Sequence, residues 1–223
     1  MADAKDKSGE PQPDATVPKA VVSRLSLYLR ELQHLVRDGN ETTSSTQLGK
    51  LLGFTDAQVR KDLAYFGQFG YPGIGYRCNE LIEAIRRILG TNQPWSLAIV
   101  GLGNLGRALM GYRGFQHQGF RIVAAFDIDP AKVGKSIEGV PVHHLDDCSR
   151  IAQEHNIRLA IIAVPSAAAQ RVADALIAAG IEGILNFAPV TLNSSKQTKI
   201  VGVDLAIELE QLSFAVVNQL PGT

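Results

Sequence analysis

The segment Trp95-Ser-Leu-Ala-Ile-Val-Gly101-Leu-Gly103-Asn104-Leu105-Gly106 constrains this chain more than any other. A short aliphatic run reads as a buried strand. Gly101, Gly103 and Gly106 follow at G-x-G-x-x-G spacing, and a helical pattern then runs from Asn104 to about Met110. Gly101 permits a tight turn, Gly103 lets a pyrophosphate approach the backbone, and Gly106 lets the helix lie close on the sheet. The first N–H groups of that helix, from Asn104, Leu105 and Gly106, are then aimed at the phosphates. Glycine turns are common and can be purely structural, so the spacing gains its weight from context. The context here is a strand before, a helix after, and Asp127 at the end of the next strand, close to the ~20 residues expected of a ribose-binding carboxylate. No Arg follows Asp127 at once to receive a 2′-phosphate, which favours NAD(H) over NADP(H). The alternative role for Asp127 is to cap the Asp129-Pro130 loop.

Further strands at 121–126, 158–164, 181–187 and 199–203 alternate with helical stretches, one of them the alanine-rich run at 167–179. This alternation predicts an α/β, Rossmann-like, doubly wound parallel sheet. Ligands of such sheets sit beyond the C-terminal strand ends, which brings Val164 and Pro165, and Asn186 and Phe187, to the mouth of the site. His143, His144, Asp146 and Asp147 invite a metal reading, but neighbours in a strand point to opposite faces and the Asp pair sits where a helix starts. No ligand set shares one face, so no metal is expected.

Ahead of the sheet, Pro18 opens a helix reaching about Asp38 with Val21, Leu25, Leu29, Leu32 and Val36 as its core stripe. Arg24, Arg30 and Arg37 fall mostly outside that stripe. Next, Ser44-Ser45-Thr-Gln47 and Thr55-Asp-Ala-Gln58 are two capping-box patterns, each opening a short helix, with Gly53 between them. That is the form of a helix-turn-helix. Val59, Leu63 and Phe66 make the inward stripe of the second helix, leaving Gln58, Arg60, Lys61 and Tyr65 for outer faces that could meet phosphates and base edges. A solvated helical hairpin is the bland alternative. The run Gly67 to Tyr76, containing Gly73 among four glycines and a proline, predicts a β-hairpin wing, so the module reads as a winged helix. Another helix follows to about Leu89, and Thr91 to Pro94 reads as a linker. The predicted organisation is thus a disordered tail at 1–17, a winged-helix DNA-binding domain at 18–90, a Rossmann NAD(H)-binding domain at 91–203 and a dimerisation helix at 204–223.

Charge is consistent with this division. The net charge is zero, yet 19–87 carries ten Lys and Arg against seven Asp and Glu. A mildly basic module is compatible with nucleic acid without demanding it. Residues 1–17 contain no apolar core of a signal peptide, and no run is long enough to span a membrane. Cys78 and Cys148 cannot form a disulfide framework and fit a reducing cytoplasm. In the last helix, which starts at an Asp204 N-cap and runs to about Gln219, Leu205, Leu209, Leu212 and Val216 form one stripe that Ile207, Phe214 and Val217 widen. A helix apolar on more than one face needs a second cover, and a homodimer in which it is central is expected.

Taken together, "RLSLYLR", "SSTQLGKLLGFTDAQVRKDLAYFG", "GIGY", "VGLGNLGRAL", "FDIDPAKVG", "AVPSAAAQ", "GILNFAPV" and "VDLAIELEQLSF" resemble the Rex family of redox-sensing transcriptional repressors, from Val17 to Phe214. The resemblance implies a homodimer whose C-terminal helix is exchanged between subunits. It also implies a double-stranded palindromic DNA operator, bound when NADH is scarce and released when NADH binds. On matching positions it implies DNA contacts by the recognition helix (Arg60, Lys61), pyrophosphate binding by Gly101, Gly103 and Gly106, and ribose binding by Asp127. Ser44, Ser45, Gln58, Tyr65, Gly73 and Tyr76 complete the expected DNA face. Arg30, Tyr112 and Asp204 match positions that would couple nicotinamide occupancy to domain orientation, and Leu205 stands where some members place a nicotinamide-facing Phe. Pro72 replaces the basic residue many members carry before the Gly-x-Gly-Tyr of the wing. Neither a membrane nor a protein substrate is implied.

Three rival readings are weighed. A dehydrogenase needs a proton donor or acceptor at the nicotinamide and a substrate domain, and only one helix follows the last strand. Related glycine-loop domains bind coenzyme A, against which Asp127 argues. A helical interaction module without DNA affinity is the third.

Overall fold

The computed structural model of the protein describes residues 17–194 and 197–218. The tail expected at 1–17 lies outside them except for Val17, as does the end of the last helix at Gln219. The described residues divide into two compact units, the first ending at Gln93 and the second starting at Pro94.

The first unit contains α1 (Lys19–Arg37), β1 (Thr42–Thr43), α2 (Ser45–Leu52), α3 (Asp56–Ala64), β2 (Tyr76–Arg77) and α4 (Cys78–Leu89). Helix α1 buries Val21, Leu25, Tyr28, Leu29, Leu32 and Leu35 on one face. Against it lies the stripe Cys78, Leu81, Ile82 and Ile85 of α4. Both short helices are capped as their sequences demand: Ser44 accepts from the Gln47 N–H and Thr55 from the Gln58 N–H, each at 3.1 Å. Such caps are worth about 1 kcal/mol each. Neither box is reciprocal, however. Gln47 Oε1 accepts from the Thr43 hydroxyl instead, and Gln58 Nε2 donates to Asp62. Gly53, at φ +75°, ends α2 in the left-handed region.

The wing departs from the expected hairpin. β1 pairs antiparallel with β2, setting Thr43 opposite Tyr76, but between Gly67 and Gly75 only Tyr71 and Gly75 bridge. Four glycines here hold positive φ, so the backbone bends too often to sustain a ladder.

The second unit comprises β3 (Trp95–Val100), α5 (Asn104–Met110), α6 (Gly114–His117), β4 (Phe120–Asp127), β5 (Ser136–Ile137), β6 (Val140–His144), α7 (Cys148–Glu154), β7 (Leu159–Ile162), α8 (Ser166–Ala178), β8 (Gly183–Asn186), β9 (Lys199–Gly202) and α9 (Leu205–Val217). Its sheet runs β5-β6-β4-β3-β7-β8-β9, parallel throughout except for β5 against β6. Both faces are covered, which is why Leu97 to Val100 is buried without alternation. Ala98, Val100, Phe126 and Ile162 face α7 and α8, while Leu97, Ile99, Val142 and Ile161 face Leu109 and Phe115. The chain winds outward from β3 in one direction and, after crossing to β7, in the other. The crevice at this reversal opens beside the loop after β3. Helix α9 buries none of its residues among the described ones; Leu209 is 66% exposed.

Candidate functional site

The loop from Gly101 to Gly106 lies at the reversal point. Gly101 has φ +92°, and a Cβ there would stand 2.5 Å from the Ala163 carbonyl oxygen and 2.7 Å from Val164 Cγ1. The end of β7 thus forms the floor of the loop and only glycine fits. At Gly106 a Cβ would run into the Gly101 carbonyl oxygen, so the helix is seated directly on the turn. Gly103 differs: nothing lies within 4 Å of where its Cβ would be, and its φ of −74° suits any residue. The fold itself makes no demand for glycine there, whereas a ligand lying against the backbone does. As the N-cap of α5, Gly103 contributes no side-chain cap. This cradle fits a pyrophosphate.

Asp127 ends β4 with its side chain 9% exposed and three bonds to its carboxylate. Oδ2 accepts from the Leu102 N–H at 2.9 Å and from Lys132 Nζ at 3.0 Å, and Oδ1 from the Asp129 N–H at 2.9 Å. Burial alone pushes its pKa up, but the Asp129 N–H, Lys132 and the Leu102 N–H outweigh burial and hold the carboxyl below the usual range. Asp127 therefore performs one of the two roles considered for it, pinning the loop at Asp129, and its carboxylate lies beside the glycine turn through the Leu102 N–H. Lys132, which also lies 3.6 Å from Asp129, escaped the sequence reading. Its signal was the spacing Asp127-x-Asp129-x-x-Lys132, which sets one cation between two carboxylates.

At the other strand ends, Val164 is half-buried and Pro165 exposed. Phe187 is half-buried and packs on the core face containing Leu97 and Ile161. Asn186 is buried and tied to the loop that follows it. Both hydrogens of its amide are engaged, Nδ2 donating to the carbonyls of Ala188 and Val190, and Oδ1 accepts from the Ala188 N–H. It shapes the loop at 187–190.

In the first unit, α3 presents Lys61 and Tyr65 to solvent, and Arg60 is also exposed while its Nη1 donates to Asp56 (2.7 Å) and the Ser45 hydroxyl (3.1 Å). Ser44 and Gly73 are exposed as well. Two expectations change, and a third residue proves to be held by a neighbour. Tyr76 is 8% exposed and belongs to the core, its ring against Gly70, and burial raises its pKa. Ser45 is buried beneath Arg60. Gln58 is half-buried and tied to Asp62.

Asp62 is the residue the sequence reading passed over, and Arg24 the one it placed outside the core. Asp62 is wholly buried. It receives Arg24 Nε at 2.5 Å and Nη2 at 2.8 Å, the Tyr28 hydroxyl at 2.7 Å and Gln58 Nε2 at 2.7 Å. Burial raises its pKa, yet Arg24, Tyr28 and Gln58 together keep it below the ordinary range. The available clue was spacing: 59, 62, 63 and 66 share one helical face.

Of the three coupling residues, Arg30 is exposed on α1. Tyr112 is exposed, its ring edge-on to Phe115 at 5.1 Å and resting on Gly114. Asp204 caps α9, accepting from the Ala206 N–H at 2.9 Å. Among the described residues no group of three or more His, Cys, Asp or Glu is placed to hold a metal ion, and no helix is long and apolar enough to cross a membrane.

Two family models match parts of this chain. A model for a DNA-binding protein N-terminus matches residues 16–64, and one for a CoA binding domain matches 92–190. The redox-sensing transcriptional repressor Rex of Desulforamulus reducens is 48% identical over 198 residues, covering 89% of this chain and 94% of that protein. Rex of Carboxydothermus hydrogenoformans is 48% identical, covering 90% of this chain and 96% of its own. Among solved structures, the complex of RSP with β-NAD⁺ and operator DNA superposes with a TM-score of 0.87 at 33% identity, covering 92% of this chain and 95% of that one. The complex of RSP, a Rex-family repressor, with β-NADH gives 0.82 at 32% identity, covering 92% and 97%. With a helix-turn-helix unit, a glycine-loop unit and relatives alike over nearly their whole length, the chain belongs to the Rex family of redox-sensing transcriptional repressors.

Proposed function

We propose that this chain binds a palindromic operator through α2, α3 and the wing, and leaves it when NADH occupies the cradle of Gly101, Gly103 and Gly106. One observation carries the reading: Gly103 is a glycine its own fold does not require, in a chain that also presents a helix-turn-helix. Asp127, assisted by Lys132, holds the adenosine ribose, and Asn104 and Leu105 line the phosphates. A CoA binding domain model covers the same residues. The acidic Asp127 and Asp129 at the strand end favour a free ribose diol over the 3′-phosphate of coenzyme A.

The dinucleotide acts as a signal. NADH and NAD⁺ differ by the positive charge of the nicotinamide ring, and an apolar pocket disfavours burying the cation. Leu205 of a second copy supplies part of that pocket, which accounts for a terminal helix apolar on more than one face and uncovered in one chain. Release requires NADH to prefer the dimer geometry that mismatches the operator, by up to ~5.5 kcal/mol for a complete 99:1 reversal. Arg30, Tyr112 and Asp204 are the residues through which occupancy sets that geometry. Catalysis is no part of the proposal, and the curated relatives are named repressors.

The test is fluorescence anisotropy on duplexes selected by the full-length protein from a randomised pool, titrated at fixed salt. NADH should release the DNA while equal NADPH does much less. Absence of any NADH effect would overturn the reading. Removal of the chain after Val203 should abolish the dimer in sedimentation, and a dimer that survives would refute the role of α9.

A further inference from the structure

Gln58 is the third residue of α3 and lies in its first turn, the part of a recognition helix that reaches base edges. Its side-chain amide is not free to choose its orientation. Asp62 Oδ1 stands 2.7 Å from Gln58 Nε2, and an ionised carboxylate only accepts hydrogen bonds. A flipped amide would set oxygen against oxygen at that distance, so the nitrogen must face Asp62. Asp62 cannot turn aside, because Arg24 grips both its oxygens and Tyr28 donates to Oδ2. What remains for an external partner is the Gln58 Oε1 acceptor and the second Nε2 hydrogen.

We propose that Asp62 is a positioning residue that fixes Gln58 as a reader of adenine in each half-site. The fixed amide edge complements the major-groove edge of adenine, with Oε1 accepting from N6 and Nε2 donating to N7. A glutamine free to flip could also turn its nitrogen toward guanine O6 or thymine O4, and the carboxylate behind it removes that option. This rests on the assignment of α3 as the recognition helix.

The experiment selects duplexes from a randomised pool with the full-length protein, unaltered and as Gln58→Met and Asp62→Asn. The unaltered protein should enrich adenine at one position of each half-site by about five- to 150-fold, as a good bidentate pair does. Gln58→Met leaves Asp62 its other partners and should lose the preference at that position alone. Asp62→Asn, which can offer its own N–H to Gln58 Oε1 and so permit the flip, should lose it at the same position. A merely structural role would instead weaken all sequences alike. Retention of the adenine preference by Gln58→Met would overturn the proposal, and so would its full retention by folded Asp62→Asn. If Asp62→Asn does not fold, the Gln58→Met profile decides. A pool from which the unaltered protein enriches nothing would overturn the operator assignment itself.

Discussion

Asp62 and Asp127 are both buried, both ionised below the usual carboxylate range and both at the edge of a proposed binding surface, yet they are held in opposite ways. Asp62 is bound entirely by side chains, one of them an arginine in a two-point grip, and no part of it reaches solvent. Asp127 is bound by two backbone N–H groups and by a lysine whose side chain is 31% exposed. The first arrangement locks a helix face. The second fixes a loop while leaving one partner that can yield to a ligand. Burial of a carboxylate therefore says little about its role until the mobility of its partners is known.

The contrast is sharpest under truncation. Asp62→Ala leaves Arg24 without its partner and should cost the first unit about 3–5 kcal/mol in urea unfolding; a loss under ~1 kcal/mol would remove the distinction. Asp127→Ala should cost less, about 1–3 kcal/mol for the orphaned N–H groups, while abolishing NADH binding in calorimetry. Unchanged NADH affinity would reduce Asp127 to a loop pin. Acid should reveal both. Their folded pKa values lie below the ordinary 3.8, so the stabilisation they give is complete above that value and drains away as pH falls through the depressed values. Melting temperature should drop steeply below pH ~3.8 in the unaltered protein and less steeply in Asp62→Asn. Lys132→Met should shift stability by only ~0.2–1 kcal/mol, since the lysine is partly screened by water, but should weaken NADH more than operator. The smallest stability effect belongs to Gly103→Ala, within ~0.5 kcal/mol. That variant should still lose NADH, and one that binds normally would show that the open space there is incidental.

What the sequence disclosed, and what it hid, follows from the range of the interactions. The strand, glycine turn and helix from Trp95 to Met110 are specified by neighbours in the chain, so they were legible, as were the caps at Ser44 and Thr55. Asp127 was legible because it ends the adjacent strand. Arg24 and Asp62 lie 38 residues apart, and a charged residue on a helix looks solvated until its distant partner is in place. Tyr76 misled for the converse reason: an aromatic beside glycines resembles a groove contact, and only packing against the helices shows it to be core. Glycines and a proline among aromatics suggest a hairpin wing, but composition does not show that four positive φ angles bend the backbone repeatedly.

The floor of the Gly101 turn has a consequence for the order in which the second unit assembles. Ala163 and Val164, which close the loop from beneath, arrive some sixty residues after the glycines they support. Pairing of β3 with β4 is comparatively local, but pairing of β3 with β7 waits for the intervening chain, and such non-local parallel contacts are the slow ones. The cradle can exist only after this closure. A dinucleotide that binds the closed cradle and not the open chain stabilises it by RT ln(1 + [L]/Kd). The ligand that reports the redox state thereby also acts as a clasp between two halves of the sheet, and the repressor becomes harder to unfold in the same conditions that take it off DNA.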